Sequence, residues 1–228
     1  MTNGLDLMPR AFALACRLHA SQRRKTTGAY YISHLLEVAG MVLAQLPAGQ
    51  MAELIASAAL LHDALEDVGE AQDIAPLIEQ QCGRSVLELV YQLTEPGTEQ
   101  GPAQKAPWRQ RKEAYLDHVN TISAPALLIA IADKLHSLRE LASDVKKVGI
   151  HAYAPFVREC DDLDSKREAV LWFQHSFADA ASKRLQSQRL QRLLFQSAKG
   201  QAEDSSVSAI LAACDRLLIE FEAILRSL

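Results

Sequence analysis

The sequence predicts an all-α fold. Apolar residues recur at three- and four-residue spacing along nearly every segment, strand-like alternation is scarce, and β-branched residues are not clustered. The first helix is expected from Asp6 to Ala20, followed by a polar connection, Ser21 to Ala29, that carries the basic run Arg23, Arg24, Lys25. A second helix begins near Ser33, which offers a capping hydroxyl, and ends before Pro47. The next runs unbroken from Met51 to about Glu66. A helix over Ile74–Gln81 stops at Gly83, and another covers Val86–Leu93. Breakers crowd Glu95 to Pro107 (Pro96, Gly97, Gly101, Pro102, Pro107), a loop long enough to serve as a lid over a site. Trp108–Val119 resumes as helix. Ser123 and Pro125 then open a strong one that reaches about Ser143. Asp162–Lys199 is amphipathic and largely helical, and the polar stretch Lys199–Ser206 breaks it. The final segment carries Val207, Ile210, Leu211, Cys214, Leu217, Leu218, Phe221, Ile224 and Leu225, a complete helical apolar stripe. It fits packing on the body of the protein; the alternative is a contact between copies in a homo-oligomer.

The bulk properties narrow the function. A chain of 228 residues suits one large domain, or one domain with a helical extension, and 49% hydrophobic residues supply a core. Net charge is −4 and the pI about 6.0, which argues against a duplex-coating nucleic-acid protein but leaves room for a small anionic ligand in a local basic pocket. Cys16, Cys82, Cys160 and Cys214 are widely spaced and form no CxxC pair, so they read as buried hydrophobes rather than a disulfide framework. The N-terminal residues lack the order of features a signal peptide needs. The longest strongly apolar run, Ala126 to Ala132, falls far short of the roughly 20 residues that cross a bilayer. The expectation is a cytoplasmic protein without a membrane partner.

Chemistry concentrates in three places. In Leu60-Leu61-His62-Asp63-Ala64-Leu65-Glu66-Asp67, a strongly apolar helix is interrupted by His-Asp and followed one turn later by two more carboxylates. On a continuous helix His62 would lie above Glu66 and Asp63 above Asp67. A solvated face would hold Glu66 and Asp67 cheaply, but it does not account for His-Asp at the end of an apolar helix, because buried ionisable groups need a partner or a metal. In Ile129-Ala130-Ile131-Ala132-Asp133-Lys134-Leu135-His136-Ser137-Leu138-Arg139, Asp133 lies within an apolar run, where its bland reading is an ion pair with a nearby base. His34, in Tyr30-Tyr31-Ile32-Ser33-His34-Leu35, would alone pass for a structural histidine.

Taken together, His34, His62-Asp63 and Asp133 resemble the H…HD…D signature of the HD superfamily. More narrowly, the sequence is similar to the alarmone hydrolases, the hydrolase domain of RelA/SpoT proteins and their small single-domain relatives. Their pattern reads roughly H-x-x-Q-x-R-K…G-x-x-Y-I-x-H-P, A-A-L-L-H-D-x-x-E-D and A-D-K-L-H-N-L-R. This chain has His19, Gln22, Arg24, Lys25, Gly28, Tyr31, Ile32 and His34, then Ala58 to Asp63 with Glu66 and Asp67, then Ala132 to Arg139. The resemblance covers residues 12 to 142 and implies an HD-domain helical bundle over residues 1–145, with residues 146–228 as a C-terminal helical extension packed on it.

The resemblance further implies that His34, His62, Asp63 and Asp133 hold one divalent cation. Two imidazoles and two carboxylates suit Mn²⁺ and equally Zn²⁺, Fe²⁺ or Co²⁺; Mn²⁺ is the choice the family implies. Glu66 and Asp67 would position or deprotonate the attacking water, and Arg24, Lys25, Thr27, Tyr31, Lys134, Ser137 and Arg139 would contact the nucleotide. Arg109, Arg111 and Lys112 either meet phosphates or form an exposed helix face. Three departures bear on the base and sugar: Ser137 stands where the family often has Asn, and Leu35 and Tyr30 replace prolines. They imply a shift of substrate, for example toward adenosine alarmones. The implied reaction removes the 3′-pyrophosphate from a (p)ppGpp-like nucleotide. The alternatives are an HD phosphohydrolase of other nucleotides and a non-catalytic nucleotide-binding protein; the retained Glu66-Asp67 pair argues against the last.

Overall fold

A computed structural model describes residues 7–24, 27–68, 71–98, 106–199 and 205–228. Among these residues the fold is helical throughout, with a single isolated antiparallel bridge between Arg23 and Tyr30. The elements are α1 (Leu7–Leu18), α2 (Ile32–Gln45), α3 (Gln50–Leu60), α4 (Ala64–Asp67), α5 (Ala71–Cys82), α6 (Arg84–Leu93), α7 (Trp108–Val119), α8 (Ala124–Val148), α9 (Leu163–Lys199) and α10 (Ser205–Leu225), with a 3₁₀ turn at Gly149–Tyr153.

Two helices form the centre. In α3 every residue from Ile55 to Leu60 is buried, and in α8 so is every residue from Ala126 to Asp133, so neither helix has a solvent face there. α1, α2 and α6 pack on α3, and α2, α6 and α10 pack on α8. Ser123 caps α8 by accepting from the Ala126 amide, Pro125 sits in its first turn, and Gly149 ends it at φ 58. α10 buries its stripe, Leu217, Leu218 and Phe221 included, chiefly along α8, and a continuous hydrophobic cluster joins the C-terminal helices to the rest. No helix among the described residues is long and apolar enough to cross a membrane.

Three local features differ from the sequence reading. The helix expected over Met51–Glu66 breaks: α3 ends at Leu60, Leu61 to Asp63 form a turn held by Leu61 N–H to Ala58 and Ala64 N–H to Leu61, and α4 begins at Ala64. Successive residues on an intact helix point about 100° apart, so only a break lets His62 and Asp63 face one point. Ser33 does not cap α2; its hydroxyl donates to the Tyr30 carbonyl within the turn that starts the helix at Ile32. α8 also runs past Ser143 to Val148. The centre of the proposed lid, residues 99–105, lies outside the described residues, as does Lys25.

Candidate metal centre and nucleotide cleft

His34 comes from the first turn of α2, His62 and Asp63 from the turn after α3, and Asp133 from the middle of α8. His34 Nε2 lies 3.2 Å from Asp133 Oδ1 and 3.7 Å from Asp63 Oδ2; His62 Nε2 lies 3.0 Å from Asp63 Oδ2 and 3.7 Å from Asp133 Oδ1. Ligand atoms of His34, His62 and Asp63 fall within 4.8 Å of one another. The Ala59 carbonyl, 2.7 Å from His62 Nδ1, accepts a hydrogen bond from the Nδ1–H, so Nε2 is the atom turned to the carboxylates. Although close to both, it is buried and aligned for a hydrogen bond with neither. A lone pair facing two carboxylates is repulsive unless positive charge sits among them. The same demand appears in titration: burial alone would lower the His62 pKa, but the nearby carboxylates, Asp63 first and then Asp133, outweigh it and raise it well above the usual histidine range. This donor set therefore fits a first-row divalent cation.

Supporting groups hold the ligands. His34 Nδ1 is 2.9 Å from His136 Nδ1, and His136 Nε2 is 3.0 Å from Glu37. One tautomer pair satisfies this chain: His34 donates from Nδ1 to His136, and His136 donates from Nε2 to Glu37, which leaves His34 Nε2 free to ligate. Tyr31 donates to Asp63 Oδ2 at 2.5 Å, and Lys134 Nζ lies 2.5 Å from Asp133 Oδ2, leaving Asp133 Oδ1 to the histidines. Burial works against the ionised Asp133, but the charge of Lys134 and then the two facing histidines hold its carboxyl well below the usual range.

Glu66 and Asp67 follow on α4. Glu66 accepts from the Glu95 amide at 2.6 Å, and burial, then the charges of Asp63 and Glu95, push its carboxyl up to about 7. Asp67 accepts from Gln22 Nε2 at 2.8 Å, and Gln22 is in turn fixed by His19 Nδ1 at 2.6 Å. A cavity of about 30 Å³ bordered by His62, Asp63, Glu66, Lys112, Asp133 and Lys134 has room for water. It adjoins a cleft of about 740 Å³, in the size range of ligand sites, whose walls include Arg24, Tyr31, Glu66, Asp67, Arg111, Lys112, Ser137 and Glu140.

Of the residues expected to contact a nucleotide, Arg24, Tyr31 and Ser137 line this cleft, and Lys134 lines the small cavity. Arg24 is not a free cation: its guanidinium is ion-paired with Glu140. Gly28, at φ 70, turns the connection back so that Arg24 and Tyr31 meet, with Arg24 donating its amide to Ala29 and Tyr31 donating to Gln22. Two expected residues are not brought to the cleft. Thr27 is exposed and accepts from the Ala29 amide within that turn. Arg139 points to α10, where it pairs with Glu220 at 2.6 Å. Helical arithmetic explains this: six residues after Asp133 is about 120° around the helix, whereas Glu140, seven after, returns to the same face.

Sequence reasoning missed Glu95. It is buried, and Arg111 at 2.5 Å and Lys112 at 3.0 Å offset the burial and hold its pKa down. The alternatives left open for the α7 bases divide: Arg111 and Lys112 line the cleft, while Arg109 lies on the exposed face over Trp172, 3.2 Å from its ring centre.

An all-helical body holding a His, a His-Asp pair and a distant Asp around one point is the arrangement of the HD domain, and the HD domain model matches residues 11–162; the chain belongs to the HD-domain family. Its relatives are more particular. It is 34% identical over 128 residues to the human guanosine-3′,5′-bis(diphosphate) 3′-pyrophosphohydrolase MESH1, covering 56% of this chain and 65% of the relative. To the Xenopus tropicalis protein of the same name it is 32% identical over 142 residues, covering 62% and 73%. The matched stretch thus spans about two thirds to three quarters of these relatives' length. The fold also matches a solved structure of a metazoan ortholog of SpoT that hydrolyses ppGpp and plays a role in starvation responses, at TM-score 0.59 and 20% identity over 92% of both chains.

Proposed function

We propose that the chain is a Mn²⁺-dependent 3′-pyrophosphohydrolase of (p)ppGpp-like alarmones, acting in the cytoplasm on a small nucleotide rather than on nucleic acid. The observation that carries this reading is the convergence of His34, His62, Asp63 and Asp133 beside Glu66 at the floor of a cleft walled by bases. The relatives' names supply the substrate class.

His34, His62, Asp63 and Asp133 would hold a cation that would supply Lewis acidity toward a phosphoryl oxygen and toward water. Glu66, with its carboxyl near 7, is matched to accepting a proton from water at neutral pH. Asp67, anchored through Gln22 and His19, faces the same cleft and orients that water. Water oxygen bonds to the phosphorus attached to ribose O3′, the O3′–P bond breaks, O3′ regains a proton, and pyrophosphate leaves. Lys112, Lys134 and Arg111 neutralise charge on the departing diphosphate, the electrostatic contribution that dominates such transfers.

The test is a product assay with purified protein and Mn²⁺, offered ppGpp, ppApp and a plain nucleoside triphosphate. Pyrophosphate from an alarmone is the expected result. Orthophosphate from the triphosphate, with both alarmones intact, would replace this reading with a different HD phosphohydrolase.

A further inference from the structure

We propose that Glu140 reads the nucleobase, and that it selects guanine over adenine. The inference rests on the nucleotide reading above and concerns the end of the cleft away from the cation.

The face of α8 provides a ruler. Asp133, Ser137 and Glu140 stand at positions i, i+4 and i+7, a single stripe. Glu140 is therefore two turns, about 10 Å along the axis, beyond the metal ligand, with Ser137 between. Ser137 and Glu140 both line the 740 Å³ cleft. A nucleotide whose 3′-phosphorus lies at the Asp133 end has its base one nucleoside length further along this stripe.

The metal ligands fix the phosphate end, and the basic side chains beside them agree with it. Lys112 and Lys134 border the small cavity at the metal end, and Arg111 and Lys112 line the cleft beside it. At the other end the Arg24 charge is cancelled by Glu140, so the pair offers no net attraction for phosphate. This end holds a planar guanidinium 5.7 Å from the Tyr31 ring centre, the apolar side chain of Leu141 and a carboxylate with side-chain exposure of 26%; of the other cations lining the cleft, Arg23 is stacked over Tyr30 and Arg158 lies elsewhere in the chain. Planar cation, aromatic and apolar wall suit a stacked base better than an anion.

The carboxylate then discriminates. Only Oε2 of Glu140 is engaged, by Arg24 and, at 3.9 Å, by His136; among the described residues Oε1 has no hydrogen-bond partner. An ionised carboxylate only accepts. Guanine offers it two adjacent donors, N1–H and the N2 amine, which match its two oxygens. Adenine offers one amine beside an acceptor nitrogen, and that nitrogen's lone pair would face the carboxylate. A bidentate base-edge contact of this kind discriminates roughly tenfold to a hundredfold, and the unpaired acceptors left by the wrong base add to it.

The experiment titrates GDP and ADP calorimetrically into the full-length Mn²⁺-loaded protein, its Glu140→Gln variant and its Glu140→Ala variant. Initial rates on ppGpp and ppApp run in parallel, and metal content serves as the folding check. Wild type is expected to prefer GDP by about tenfold or more, and both variants to bring the ratio to within about threefold. Freeing Arg24 changes affinity for both nucleotides together, so the ratio isolates the base. A wild-type ratio near one, or a guanine preference that survives in the metal-loaded variants, overturns the assignment. Pyrophosphate released equally from both alarmones overturns it while the reaction stands. A GDP preference lost in both variants, with no pyrophosphate from either alarmone, supports the base reading and overturns the reaction instead.

Discussion

The end of α3 and the length of α10 are both apolar helix, yet they are built to opposite rules. α10 keeps its period throughout, buries Leu217, Leu218 and Phe221 along α8, and places its charges outside. At the end of α3 the helix stops without glycine or proline, two ionisable side chains turn inward, and a histidine lone pair is set against carboxylates. Local consistency marks the part that stabilises; local conflict marks the part that acts. The contrast predicts that changes at α3–α4 alter metal affinity and turnover far more than folding, and that changes at α10 do the reverse.

The largest effect is expected at the turn. His62→Ala or Asp63→Ala should abolish Mn²⁺ binding by calorimetry and reduce alarmone hydrolysis to background, with helical content unchanged. Full activity in either variant would remove the metal assignment.

Glu66→Gln comes next. Turnover is expected to fall about 10²- to 10⁴-fold with metal retained, as for a lost general base. The same change should stabilise the metal-free protein above neutrality. An unfolded glutamate titrates near 4.5 and folded Glu66 near 7, so below pH 4.5 the carboxyl is protonated in both states and burying it carries no charge penalty. As pH rises toward 7 the unfolded chain loses its proton first and stability is lost; above 7 the full penalty is present. Glutamine removes the penalty, about 3 kcal/mol at pH 8 and almost nothing at pH 4, read as a shift in melting temperature. A variant no more stable at pH 8 than wild type would show that Glu66 is not held against its ionisation.

The opposite signature belongs to Phe221, fully buried in α10 and edge-on to Phe177 at 5.7 Å. Phe221→Ala should lower stability by about 3–5 kcal/mol and leave kcat/KM of the folded fraction within twofold. A change confined to kcat would tie α10 to the site. Between the extremes stands His136, which supports His34 without facing the cleft cavity. His136→Ala is expected to weaken Mn²⁺ binding about 10- to 100-fold; unchanged affinity would make the His34–His136–Glu37 chain incidental.

Legibility in the sequence follows the same division. Period alone placed α1, α6, α7, α9 and α10 to within a few residues, because each obeys its pattern. The residues that form the metal cluster were legible as residue types in order, but the turn that assembles them was not: Leu60 to Ala64 contains no breaker, and the bend reflects packing of Leu61 and Leu65 into the core on either side of it. Glu95 escaped notice because its role depends on Arg111 and Lys112, sixteen and seventeen residues on, across a loop whose course no local pattern specifies. Glu140 lies on the Asp133 face by helical arithmetic, one residue beyond the motif that ends at Arg139.

Arg139 provides the smallest and sharpest test. Motif matching assigns it to the nucleotide; the structure seats it on α10 with Glu220, and its Nη1 lies 3.0 Å from Met41 Sδ on α2. The pair is exposed, 42% and 44% by side chain, so solvent screens most of its attraction and removal should destabilise by about 0–1 kcal/mol. Arg139→Ala is accordingly expected to leave kcat/KM for an alarmone within twofold and to shift the melting temperature by no more than a few degrees. A tenfold rise in KM with stability unchanged would mean that Arg139 swings from Glu220 into the cleft when substrate arrives, and that the acting face of α8 reaches further round the helix than its resting geometry puts it.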